Sequence, residues 1–127
     1  MHITGSKSLA DIVEFIADLY EISYFKLKVS HTNEHSECIR NIDGSFEILV
    51  EKDLEEEQTV KHIAHEMQHL KQFKHDRLFQ TEAGMTVFDG VEYPPSEYMS
   101  DEYFLTPWEM EARAYEDFVL YKWDNRK

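Results

Sequence analysis

Residues 60–75 read VKHIAHEMQHLKQFKH. Val60, Ile63, Ala64, Met67 and Leu70 recur at helical spacing, which predicts an amphipathic helix running to about Lys74. Inside it, HEMQH at 65–69 fits the pattern H-E-x-x-H. Residues four apart on a helix are neighbours on one face, so His65 and His69 can offer two imidazole nitrogens to a single tetrahedral ion. Glu66 projects near the same face and can take a proton from water that the ion activates. Zinc suits such ligands and brings the pKa of water down to about 7. The bland alternative is a pair of solvated histidines on an ordinary surface helix. His62, three residues before His65, is read on a neighbouring face, touching substrate or standing in solvent.

The elements before this helix predict an α+β chain. Leu9, Ile12, Val13, Ile16 and Tyr20 share one face of a helix from about Ser8 to Glu21, with Ser8 as cap. Phe25, Leu27 and Val29 alternate with Lys26 and Lys28, as in a half-buried strand. Phe46, Ile48 and Val50 alternate again after Asp43-Gly44, whose tolerance of positive φ predicts a hairpin with residues 37–42. Asp53 with Glu56 resembles a capping pair for the HEMQH helix. Beyond it, 86–88 and 91–93 flank Asp89-Gly90 as a second hairpin. Pro94-Pro95 ends the hairpin, and an acidic, aromatic loop, SEYMSDEYFL, leads to the last helix. That helix starts at TPWE, with Thr106 as cap, Pro107 in the first helical position and Glu109 placed to close a capping box. It continues to about Trp123.

Composition narrows the functional classes. With 127 residues and no linker or repeat, one domain spanning 1–127 is expected. The net charge of −13 argues against nucleic acid, since there is little Lys and Arg to neutralise phosphate. Cys38 is the only cysteine, which excludes an internal disulfide and a Cys-based zinc site. No signal peptide or membrane span is read, so a cytoplasmic location without membrane contact is expected.

Two rivals compete to be the third ligand. His75 stands where H-E-x-x-H-x-x-G-x-x-H places its last histidine, and Met99 loosely echoes the methionine turn of that metzincin pattern. Gln72 occupies the glycine position, however, and an unbroken helix carries His75 roughly 9 Å along the axis on another face. The other rival is an acid on the final helix. Glu109 has capping work and Arg113 four residues on, and its face continues through Glu116, which reads as solvated. Glu111 sits among Trp108, Tyr115 and Phe118, where an unpaired carboxylate is costly and a cation would relieve it. Glu111 is therefore the expected third ligand.

HEMQH followed by PWEMEARAYE resembles the small gluzincins, zinc peptidases whose third ligand is a Glu on a later helix. The Glu-x-Glu-Ala form is also similar to ImmA/IrrE-type peptidases, and short acidic chains of this kind look like bacteriophage proteins. The ImmA/IrrE-type sequences usually continue with Asn and a Phe-Ala pair, where this chain has Arg113, Ala114 and Tyr115. The resemblance implies a minimal zincin: an N-terminal helix, a small twisted and mostly antiparallel sheet, the H-E-x-x-H helix and the Glu-bearing C-terminal helix. It implies one Zn2+ ion, Glu66 as general base and a protein or peptide as substrate. Tyr115, Tyr103 and His62 are weak candidates for stabilising the oxyanion or for a place behind the ligands. A catalytically weak or inactive zincin scaffold that engages a basic partner through its acidic surface is the alternative.

Overall fold

The structure is a computed structural model and describes residues 1–22, 26–95 and 100–126. It is an α+β architecture in which a four-stranded sheet and a small three-stranded sheet surround two long helices. The chain order is β1 (His2–Ile3), α1 (Lys7–Leu19), β2 (Leu27–Thr32), β3 (Glu37–Arg40), β4 (Phe46–Glu51) and α2 (Glu56–Lys74). There follow β5 (Leu78–Gln80), β6 (Thr86–Phe88), β7 (Val91–Tyr93), the one-turn α3 (Asp101–Phe104) and α4 (Pro107–Asp124). No described helix is long and apolar enough to cross a membrane.

The apolar periodicities lead directly to the main core. Leu9, Ile12, Val13 and Ile16 of α1, Leu27 and Val29 of β2, and Ile48 and Val50 of β4 are buried together with Val60, Ile63, Ala64, Met67 and Leu70 of α2. Val119 and Trp123 complete this core from α4. A smaller core of Leu78, Phe88 and Trp108, flanked by Phe73 and Tyr93, ties β5–β7 to the end of α2 and the start of α4. The cleft described below lies where these two cores meet.

The large sheet has the order β1-β2-β4-β3 and is mixed, which corrects the expectation of a mostly antiparallel sheet. β1 and β2 pair in parallel because α1 crosses between them, and β2 pairs in parallel with β4. Only β3 runs antiparallel, in the expected hairpin with β4. The Phe-Glu-Ile-Leu-Val-Glu strand takes the centre, since its apolar residues can be covered on both sides, and the more polar Glu-Cys-Ile-Arg strand takes the edge. β3 therefore has a strand partner on one side only among the described residues.

Several local details differ from expectation. Ser6 rather than Ser8 caps α1, its Oγ accepting from the Leu9 amide at 3.1 Å. Asp53 adopts φ 61° and does not cap α2, which starts instead after Glu55. β5 and α3 add to the predicted elements, and the second hairpin turns on Asp89 and Gly90, both at positive φ (49° and 83°). Phe25 and Met99 lie outside the described residues. On α4 the buried face is Trp108, Glu109, Ala112, Val119 and Trp123, whereas Tyr115 and Phe118 are exposed.

Ile63 is fully buried beneath the sheet. Ile63→Ala should cost about 2–5 kcal/mol of unfolding free energy, measured by urea denaturation of chelator-treated protein. A loss much below that range would mean that α2 does not anchor the main core.

Candidate metal centre

Packing of α4 against α2 brings one carboxylate to two imidazoles. The ligand atoms of His65, His69 and Glu109 lie within 4.8 Å of one another. His69 Nε2 is 2.5 Å from Glu109 Oε2, His65 Nε2 is 3.2 Å from Oε1, and the two Nε2 atoms are 3.2 Å apart. Glu109 is 4% exposed, so water does little to solvate its charge.

The structure thus brings Glu109, and not the expected Glu111, to the two histidines. At about 100° per residue, Glu109 and Glu116 fall within roughly 20° of each other on α4, and Glu111 points about 150° away. The buried face Trp108-Ala112-Val119-Trp123 runs between them. Glu109 and Glu116 thereby flank it on the side of the histidines. Glu111 faces Arg77, which binds it with Nη2–Oε2 at 2.6 Å and Nη1–Oε1 at 2.9 Å. Gln68 and Gln72 also donate to Glu111 Oε1, at 2.6 and 3.1 Å. Its burial cost is met by these partners: burial raises the Glu111 pKa, and the hydrogen bonds from Arg77, Gln68 and Gln72 more than reverse that. The capping box is absent too. Thr106 makes no side-chain cap, and Arg113 donates to the Phe104 carbonyl rather than pairing with Glu109.

Each histidine is oriented through its other nitrogen. His65 Nδ1 donates to Glu116 Oε2 at 2.7 Å. His69 Nδ1 donates to Gln72 Oε1 at 2.8 Å. The Gln72 amide is fixed by two acceptors of its own, the Trp108 carbonyl and Glu111 Oε1 at 3.1 Å each, so its oxygen must face His69. Both Nε2 atoms are thus the ones available as ligands. Sequence reasoning placed Glu116 on a solvated face and saw in Gln72 only a missing glycine. The i, i+7 pairing of Glu109 with Glu116 was a usable signal, because two acids on one stripe facing a two-histidine stripe make a donor set.

Two of the remaining expectations concern His75 and Tyr115. α2 continues unbroken through the fully buried Gln72, and His75 is its exposed C-cap, away from the cluster. Tyr115 packs edge-on against Tyr20 at 6.2 Å and Phe118 at 6.4 Å, and does not line the cleft. Tyr103 does line it, its hydroxyl 3.4 Å from Glu109 Oε2, and His62 lines it as well.

The cleft has a volume of about 880 Å³. Its walls are β3, the histidine face of α2, and the α3–α4 junction with β5. Phe73, Leu78, Phe79, Phe104 and Trp108 make one end apolar, while His35, Ser36, Gln58 and His62 make the other polar. Glu66 lies on the wall nearest β3, 7% exposed, and burial raises its pKa to about 7 against the pull of His69 and His65. Burial also pushes the Cys38 thiol well up, with Glu66 next in effect, so Cys38 stays a neutral part of that wall.

Two nitrogens and a carboxylate, each from a hydrogen-bonded side chain that is buried or, for His65, part-buried, form a donor set that fits zinc. No protein-family model matches the chain, and no curated protein or solved structure does.

Burial disfavours the charged form of His65, but hydrogen bonds to Glu109 and Glu116 outweigh it and raise the pKa to about 10. Glu109, raised by burial, is brought down to about 2 by hydrogen bonds from His65 and His69. The raised His65 stabilises the fold fully below its unfolded value of 6.5, and loses that contribution as pH rises to about 10. The lowered Glu109 contributes fully above 4.5 and loses it as pH falls to about 2. In chelator-treated protein, the melting-temperature advantage of wild type over His65→Ala should peak between 4.5 and 6.5 and shrink on either side. An advantage that grows above that window would contradict the pairing.

Proposed function

We propose that this protein is a zinc-dependent peptidase in which His65, His69 and Glu109 hold one ion and Glu66 is the general base. The observation that carries the proposal is the convergence of those three donors in a cleft that also contains Glu66. When bound, zinc supplies Lewis acidity that brings the pKa of water to about 7. Glu66 takes a proton from water, holds it in its poorly solvated pocket, and passes it to the leaving amine. Glu116 and Gln72 keep the two imidazoles turned with Nε2 inward.

The open edge of β3 supports a peptide as substrate. An extended chain laid beside β3 gains main-chain hydrogen bonds by β-augmentation and passes along the cleft in front of Glu66. The central β4 is paired on both sides and cannot serve in this way. Glu66 in the cleft favours hydrolysis over the alternative of a zincin-like binding protein, which needs no base.

Three variants test the proposal with zinc analysis and cleavage of a pooled fluorogenic peptide library. Glu66→Gln should keep one zinc and lose cleavage. Glu109→Ala should lose zinc, whereas Glu111→Ala should keep it. Glu116→Gln should weaken zinc about 10–100-fold, as expected for a partner of a ligand. Release of zinc by Glu111→Ala but not by Glu109→Ala would overturn the ligand set, and an inert wild type would overturn the peptidase.

A further inference from the structure

His62, His65 and His69 follow one another at spacings of three and four on α2, so all three face the cleft along one stripe. His65 and His69 each direct an Nδ1 hydrogen at an acceptor, and their Nε2 atoms face Glu109. His62 is held differently. Its Nδ1 lies 2.8 Å from Ser36 Oγ, and that same oxygen accepts the Glu51 amide at 2.8 Å. Oγ keeps a second lone pair, but among the described residues its own hydrogen has no acceptor other than Nδ1, so the serine hydroxyl donates to Nδ1. His62 is then a neutral ring with its hydrogen on Nε2. Burial keeps its pKa below the ordinary imidazole value, despite the opposing pull of Glu51 and Glu116. Among the described residues Nε2 has no hydrogen-bond partner, and the ring lines the cleft beside His65.

From this we infer that His62 is an Nε2–H donor to the carbonyl oxygen of a bound peptide, positioned in that tautomer by Ser36. Two other cleft donors are directed elsewhere: the Tyr103 hydroxyl toward Glu109 and the Arg113 guanidinium toward the Phe104 carbonyl. As the carbonyl oxygen gains negative charge, a fixed neutral donor stabilises it with little reorganisation. The inference rests on the peptidase reading for its catalytic half and on Ser36 alone for its tautomer.

Long-range proton–nitrogen correlation spectra of nitrogen-15 protein, zinc-loaded and chelated, test the tautomer directly. His62 should be protonated on Nε2 in wild type and lose that preference in Ser36→Ala, while His65 keeps its hydrogen on Nδ1 in the zinc-loaded form. Cleavage of the pooled peptide library tests the role. His62→Ala should lower kcat about 10²–10³-fold with zinc content and KM little changed, and His62→Gln, which retains an N–H donor, should recover part of the loss. A His62 protonated on Nδ1 overturns the inference, as does an unchanged kcat in His62→Ala. Wild-type protein as inert as Glu66→Gln removes the peptidase reading and the catalytic role together, with the tautomer still decided by the spectra.

Discussion

A buried carboxylate set against one buried and one part-buried imidazole is the constraint on which the rest of the site depends. Glu109, Glu66 and His69 are each less than a tenth exposed, and charge in that position is costly unless it is paired or shared with a cation. The packing of α4 on α2 meets the cost by aligning Trp108, Ala112, Val119 and Trp123 as the contact face, which turns Glu109 and Glu116 toward the histidines. The apolar core thus fixes the angular position of the acids, and the acids fix which imidazole nitrogens face the cleft.

The supporting hydrogen bonds extend well beyond the three candidate ligands. Gln72 links His69 to the Trp108 carbonyl and to Glu111. Glu111 is clasped by Arg77, which also grips Asp89 at the second hairpin through Nε–Oδ1 at 2.8 Å and Nη2–Oδ2 at 3.0 Å. The small sheet is therefore tied to His69 by polar contacts as well as by the Leu78-Phe88-Trp108 core. In this frame Gln72 has a positive role. Where a glycine would break the helix and free His75, a buried amide keeps α2 straight and orients the preceding histidine.

Much of this was legible in the sequence, and the gaps have physical causes. The periodicities of α1, β2, β4 and α2 marked residues that, Phe25 aside, are buried or (Phe46) part-buried, because one-sided burial imposes period on the chain. HEMQH gave two ligand candidates and a candidate base, since i, i+4 geometry is local. Strand order was not local: whether β4 lies beside β2 depends on which strand can be covered on both sides, and a hairpin turn cannot state that. The third donor failed for a related reason. Trp108, Tyr115 and Phe118 suggested one apolar face on α4, but Tyr115 and Phe118 are 40% and 47% exposed, and the true face is rotated toward Val119 and Trp123. That rotation exchanged the roles of Glu109 and Glu111. The partners of Glu111, chiefly Arg77, come from 34 to 43 residues away and left no mark in the helix pattern.

Zinc-edge X-ray absorption on the zinc-loaded protein tests the central claim most directly, because it counts the atoms around the ion without reference to activity. The account predicts two imidazole nitrogens and a carboxylate oxygen, with the oxygen contribution lost in Glu109→Gln and retained in Glu111→Gln. A third imidazole in the wild-type spectrum, or a carboxylate contribution that disappears only in Glu111→Gln, would contradict it.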